Sequence, residues 1–80
     1  MFQIEIESIF NIPGRGQIIY GKANEQNYKG TLRCGSDFFK VIGFPFQLDK
    51  EEYATYLLDT TTLTDDYVGK ILVEGERKET

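Results

Sequence analysis

The chain reads as an all-β fold, a barrel or sandwich of short antiparallel strands, on three observations. Phe2, Ile4 and Ile6 alternate with Gln3, Glu5 and Glu7, the period of two that gives a strand one buried face. Two β-prone runs flank Pro13-Gly14-Arg15-Gly16, where proline presets φ for a turn and glycine takes positive φ without a Cβ clash. The remaining apolar runs have strand length and are separated by Gly, Pro, Asn and Asp, the spacing of many short strands.

Each element follows in order. The alternation that opens the chain breaks at Ser8, Ile9 and Phe10, which predicts a bulge or register change. Ile4 to Phe10 is expected to pair antiparallel with Gln17 to Lys22 across the Pro-Gly-Arg-Gly turn. In that second strand, Ile18 and Tyr20 oppose Gln17 and Ile19. Asn24 to Lys29 is a polar loop, and Thr31 to Cys34 a short strand between Gly30 and Gly35. Gly35-Ser36-Asp37 is turn material, and Phe38 to Phe44 a strand rich in aromatic and β-branched residues. Only one of the neighbours Phe38 and Phe39 can face the core.

Pro45 stops that strand or sits on its edge. Beyond it two readings stand. Asp49 caps a short helix over Lys50 to Leu58, with Tyr53, Tyr56 and Leu57 at i, i+3, i+4, or Tyr53 to Leu58 is a strand. Asp59 to Asp66 is a Thr- and Asp-rich loop. Tyr67 to Glu74 is the last strand, offering Val68, Ile71 and Val73 to the core, and Glu76 to Thr80 is a charged end expected to fray.

The 80 residues make one domain, 1–80; a chain of this size buries only about 60% of its unfolded surface, so its stability margin is thin. Cys34 is the sole cysteine and histidine is absent. That excludes Ser-His and Cys-His mechanisms and a zinc site of thiolates or imidazoles, and it leaves Cys34 as a small hydrophobe. A single unpaired cysteine, no basic leader and no membrane-length apolar run place the chain in the cytoplasm.

The formal charge is −4. Residues 1–40 carry five basic and four acidic side chains, and residues 41–80 carry four and nine, so the halves are +1 and −5. Such a balance argues against non-specific nucleic-acid binding, which depends on neutralising phosphates. A basic face built from Arg15, Lys22, Lys29, Arg33 and Lys40 is the exception to test; the alternative is solvated loop and strand charges.

No catalytic constellation emerges. Gly16-Gln17-Ile18-Ile19-Tyr20-Gly21-Lys22-Ala23 misses G-x-x-x-x-G-K-[ST] at its last position, and its Gln-Ile-Ile-Tyr centre favours an extended strand over a phosphate-cradling loop. Glu51-Glu52 and Asp65-Asp66 are adjacent acids of the kind usually solvated, and EF-hand spacing is absent. No cofactor, metal, nucleotide, DNA or membrane partner is therefore expected. The aromatics Phe38, Phe44, Phe46, Tyr20, Tyr28, Tyr53, Tyr56 and Tyr67 outnumber what a small core holds, so some serve partner contact, base stacking or plain exposure.

Three stretches, in order, carry a resemblance. Phe10-Asn11-Ile12-Pro13-Gly14-Arg15-Gly16 leading to Gly21-Lys22 is similar to F-x-I-P-G-R-G-x-V-x-x-G-R. Gly30-Thr31-Leu32-Arg33-Cys34-Gly35 is similar to G-x-[IL]-[KR]-x-G. Leu57-Leu58-Asp59, followed by Asp65-Asp66-Tyr67-Val68-Gly69-Lys70-Ile71-Leu72-Val73-Glu74-Gly75, is similar to a pattern containing G-[DE]-N-V-G-x-x-[LI]-R-G. Together they resemble the second, β-barrel domain of elongation factor Tu and related translational GTPases, standing without a GTPase domain. The resemblance implies a small closed or nearly closed antiparallel β-barrel of the translation-protein type, with about six strands. Tyr20 replaces the usual threonine, and Glu74 stands where the family has arginine. In the family, E-x-F-[RHK]-x-L helps hold the aminoacylated end of tRNA; Glu52 falls on its glutamate and Thr55 on its arginine.

The expected function is a non-catalytic binding module contacting RNA, the ribosome or a translation factor. The alternative is a small regulatory or decoy protein that mimics a translation factor to occupy a protein partner. The partner-binding candidates are Arg15 at the turn tip, Lys22, Arg33 and Glu52. If the acidic face works instead, Glu51, Glu52 and Asp66 carry it.

Overall fold

The computed structural model describes residues 1–26, 28–44 and 52–75. Six strands follow one another: β1 (Gln3–Ile12), β2 (Gly16–Ala23), β3 (Thr31–Cys34), β4 (Asp37–Gly43), β5 (Tyr53–Leu58) and β6 (Ile71–Gly75). All pairs are antiparallel, and the order β1-β2-β5-β4-β3-β6 closes into a barrel. Every described strand is thus paired on both sides, which removes the exposed backbone edges of an open sheet.

The hairpin forms as the turn chemistry dictates. Ile4 lies opposite Ala23 and Ile12 opposite Gly16, with a register shift between Ile6 and Ser8 where the alternation breaks. Gly16 takes φ +140°, and a Cβ there would run into the carbonyl of Leu58. A two-residue turn at Gly35-Ser36 joins β3 to β4. Phe39 points inward and Phe38 outward.

The core holds Phe2, Ile4, Ile6, Ile19, Leu32, Phe39, Tyr56, Leu58, Leu63 and Leu72. Cys34 is half-buried and packs against this cluster. Tyr28 stacks on Phe2 with ring centroids 4.5 Å apart, and Tyr56 meets Phe2 edge-on. The Tyr28 backbone N–H donates to the Tyr56 hydroxyl at 3.2 Å.

One pair of alternatives is decided and one expectation needs correction. Of the two readings beyond Pro45, the strand Tyr53 to Leu58 holds as β5, and the helix over 50–58 does not form where the chain is described. Ala54 to Leu58 are all buried; a strand covered on both faces shows no alternation, so its apolar spacing mimicked a helix by chance. The last strand begins at Ile71, not Tyr67, which ends a 3-10 turn over Asp65–Tyr67. Its core residue is Leu72, set opposite Ile4, while Val68 and Ile71 are exposed and Val73 is half-buried. Pairing register, invisible in a five-residue run, decided that phase. The expected stop at Pro45, the cap at Asp49, Glu51 and the charged end 76–80 lie outside the described residues.

Candidate functional site

The turn between β1 and β2 holds Arg15 at its tip, with the Arg15 N–H donating to the Ile12 carbonyl at 3.0 Å. Beside the turn, strand register lines up one row of residues across four strands. Phe10 faces Ile18, Ile18 faces Leu57, and Leu57 faces Gly43. Because Ile19, Tyr56 and Leu58 point into the core, this row lies on the outer face of the barrel, where Ile18 and Leu57 are nonetheless buried at 7% and 8% exposure. Outward residues are normally polar, yet this row is apolar.

Gly43 contributes no side chain, and the row therefore sinks at that point. The result is a groove of about 320 Å³ with Ile18 and Leu57 near its floor, lined also by Ile12, Ile42, Phe44 and Arg15. Ile42 is 45% exposed and Phe44 41%, while Phe10 on β1 is 53% exposed. Arg15 also lines an adjoining hollow with Gly14, Gly16, Asp59, Thr60 and Thr61. A cationic side chain thus stands between an apolar groove and a polar hollow.

The other candidates fall elsewhere. Lys22 sits at the far end of β2, roughly 20 Å of strand from the turn. Its ammonium lies 4.0 Å from the Glu52 carboxylate, and both side chains are mostly exposed. Such a pair adds little to stability. Nearby, Tyr20 and Tyr53 stack at 5.4 Å, and the Glu7 carboxylate, followed by burial, raises the Tyr53 hydroxyl above its ordinary pKa. Arg33 is on β3 and donates from Nη1 to the Gly35 carbonyl at 3.3 Å. β6 separates β3 from β1, and β4 and β5 separate it from β2. Lys22 and Glu52 are thus brought together, whereas Arg15 and Arg33 stand apart from them and from each other. Thr55, aligned with the family's arginine, is buried.

Three polar residues that sequence reasoning passed over hold the scaffold. Gln17 is 2% exposed. Its amide nitrogen donates to the Leu63 carbonyl at 2.9 Å and to Asn11 Oδ1 at 2.6 Å, and its oxygen accepts the Leu63 N–H at 2.8 Å. It thereby ties the 59–64 loop, and with it one wall of the polar hollow, to β2. Glu74 accepts the Phe2 N–H at 2.6 Å, and its own N–H donates to the Phe2 carbonyl. Asn24 accepts from the Gln3 N–H and donates to the Met1 carbonyl. A polar residue inside an apolar run was the one signal for Gln17; Glu74 stood out only by replacing an arginine of the resembled pattern, and Asn24 carried no signal.

Gly16-to-Ala23, the near-match to a phosphate loop, is the extended strand β2. Among the described residues, no group of three His, Cys, Asp or Glu side chains is placed to hold a metal ion, and no helix is long and apolar enough to cross a membrane. No family model matches this chain, and neither the curated proteins nor the solved structures contain a match to it.

Proposed function

We propose that this barrel is a non-catalytic binding module whose working surface is the groove beside the Pro-Gly-Arg-Gly turn, and that its partner is a protein. The observation that carries the reading is the exposed apolar side chains Ile42 and Phe44 over the groove, with Phe10 exposed on β1, on the outer face of a closed barrel. Apolar side chains grouped on a surface and edged by an arginine are the composition of a protein interface. The partner class suggested by the resemblance is a component of the translation apparatus, which the barrel would contact directly or occupy as a decoy. RNA is the less favoured partner. Arg15, Lys22 and Arg33 share no face, Lys22 already meets Glu52, and the chain as a whole is acidic.

Retention of partners from the source cell by the parent protein and by an Ile42→Ser/Phe44→Ser variant tests this. The reading requires a protein that survives nuclease and raised salt, is lost with the groove variant, and binds again when purified. Retention that is nuclease-sensitive, weakens steeply with salt and persists in the groove variant would replace it with the RNA reading.

A further inference from the structure

A closed barrel offers no free sheet edge, so the outward side chains of its strands are its broadest contact surface. The ring order sets β1, β2 and β5 on one half and β4, β3 and β6 on the other, with β2 and β3 diametrically opposed. The two halves differ in charge.

On the first half, the inward residues Ile4, Ile19 and Tyr56 fix a phase that turns Glu5, Tyr20, Lys22 and Tyr53 outward. Tyr20 and Tyr53 stack there, and the Tyr53 hydroxyl donates to the Glu7 carboxylate. Lys22 faces Glu5 across the strands and lies 4.0 Å from Glu52. Glu5, Glu7 and Glu52 against Lys22 leave this half at −2.

On the second half, the inward residues Leu32, Phe39 and Leu72 turn Arg33, Phe38, Lys40 and Val73 outward. Arg33 lies between Val73 and the exposed Phe38. The carboxylates of these strands are engaged at the barrel's ends: Asp37 accepts the Tyr67 hydroxyl at 3.2 Å, and Glu74 accepts the Phe2 N–H. Arg33 and Lys40 therefore leave this face at +2, and among the described residues neither is in an ion pair.

We infer that the tyrosine-bearing acidic half of one barrel receives the Arg33-Phe38-Lys40 half of a second copy of this chain. Charge complementarity selects the occupant, since each half displays the opposite sign to the other. A guanidinium also suits the ring faces of a tyrosine pair beside carboxylates. The net charge of −4 does not forbid the contact, because charges more than about 8 Å apart are screened at physiological salt. The contact is heterologous, and its two surfaces lie on opposite sides of the barrel, so each added copy leaves a free half at either end and chains grow past the dimer. Three strands of about six residues make a face of roughly 15 by 20 Å, smaller than the roughly 800 Å² per partner of a stable complex. The association is accordingly weak and reversible. It goes beyond the groove reading and uses neither Arg15 nor the groove's floor.

Sedimentation equilibrium of the full chain from about 20 μM to about 1 mM tests the inference. The average mass should climb past the dimer with concentration and return to the monomer in about 0.5 M salt. Arg33→Glu/Lys40→Glu and Glu5→Lys/Glu7→Lys should each weaken association about tenfold or more. Mixing these two variants should restore it, which shows that both remain folded. Arg15→Ala should associate like the parent. A parent that stays monomeric at the highest concentration, a mass that stops at the dimer, association that survives either reversal or high salt, or a mixture that remains monomeric would each overturn the inference. Loss of association in Arg15→Ala would also overturn it, by placing the contact at the turn.

Discussion

Gly16 and Gln17 are adjacent and do opposite things. Gly16 is there for what it lacks: its φ is +140° and a Cβ would meet the Leu58 carbonyl. Gly16→Val should lower stability by more than about 1 kcal/mol, read as a lower urea midpoint with unchanged slope; an unchanged midpoint would mean the turn tolerates a side chain. Gln17 is there for what it carries. Gln17→Leu keeps the apolar bulk but strands the buried N–H and C=O of Leu63, at about 2–4 kcal/mol for two unsatisfied backbone groups. The Leu63 amide should then exchange with solvent faster than those of the core strands. Gly16 could be read from the sequence, because turn chemistry is local. Gln17 could not, since its partner lies on a loop 46 residues away.

At the level of strands, legibility tracked how far the deciding interaction lies from the residues it decides. The β1–β2 hairpin was readable down to its bulge, because both strands and the turn are contiguous in sequence. The short β6 was misplaced by four residues at its start, because pairing with β1 and β3 sets which of its side chains faces inward. β5 stayed ambiguous because it is covered on both faces. The start of β1 depends on Glu74. Glu74→Ala should cost about 1 kcal/mol through loss of its bond to the Phe2 N–H. Hydrogen exchange should quicken at Phe2 and Gln3 and stay unchanged at the hairpin turn; uniform loss of protection would indicate global rather than local weakening.

Across the whole molecule, the barrel was legible and the candidate site was not. Arg15 stood out in the sequence, but the groove beside it is assembled from residues of four strands, and no run of residues displays it. The tyrosines set the behaviour of the barrel in alkali. Burial holds the Tyr56 hydroxyl above the ordinary value of 10.0, partly offset by the Tyr28 N–H, with Glu25 raising it further. A neutral acid whose folded pKa is raised contributes stability in full below the unfolded pKa and loses it as pH rises through the folded one. The urea midpoint should therefore fall as pH rises above about 10. Tyr56→Phe should flatten part of that fall. The remainder belongs to Tyr53, raised chiefly by Glu7, and Tyr67, raised chiefly by burial. A fall of equal steepness in Tyr56→Phe would assign the whole alkaline loss to other groups.

The ring closes through β6, which pairs with β1 on one side and β3 on the other. The bond joining Phe2 to Glu74 spans 72 positions. The two hairpins, β1–β2 and β3–β4, can assemble from neighbouring residues in microseconds. Closure must wait for the final described strand, and bringing such distant segments together exacts a large entropic penalty before any contact repays it. Closure through the five residues of β6 is therefore the expected slow step of folding. During synthesis the nascent chain should present β1 and β3 as unpaired edges until those residues leave the ribosome.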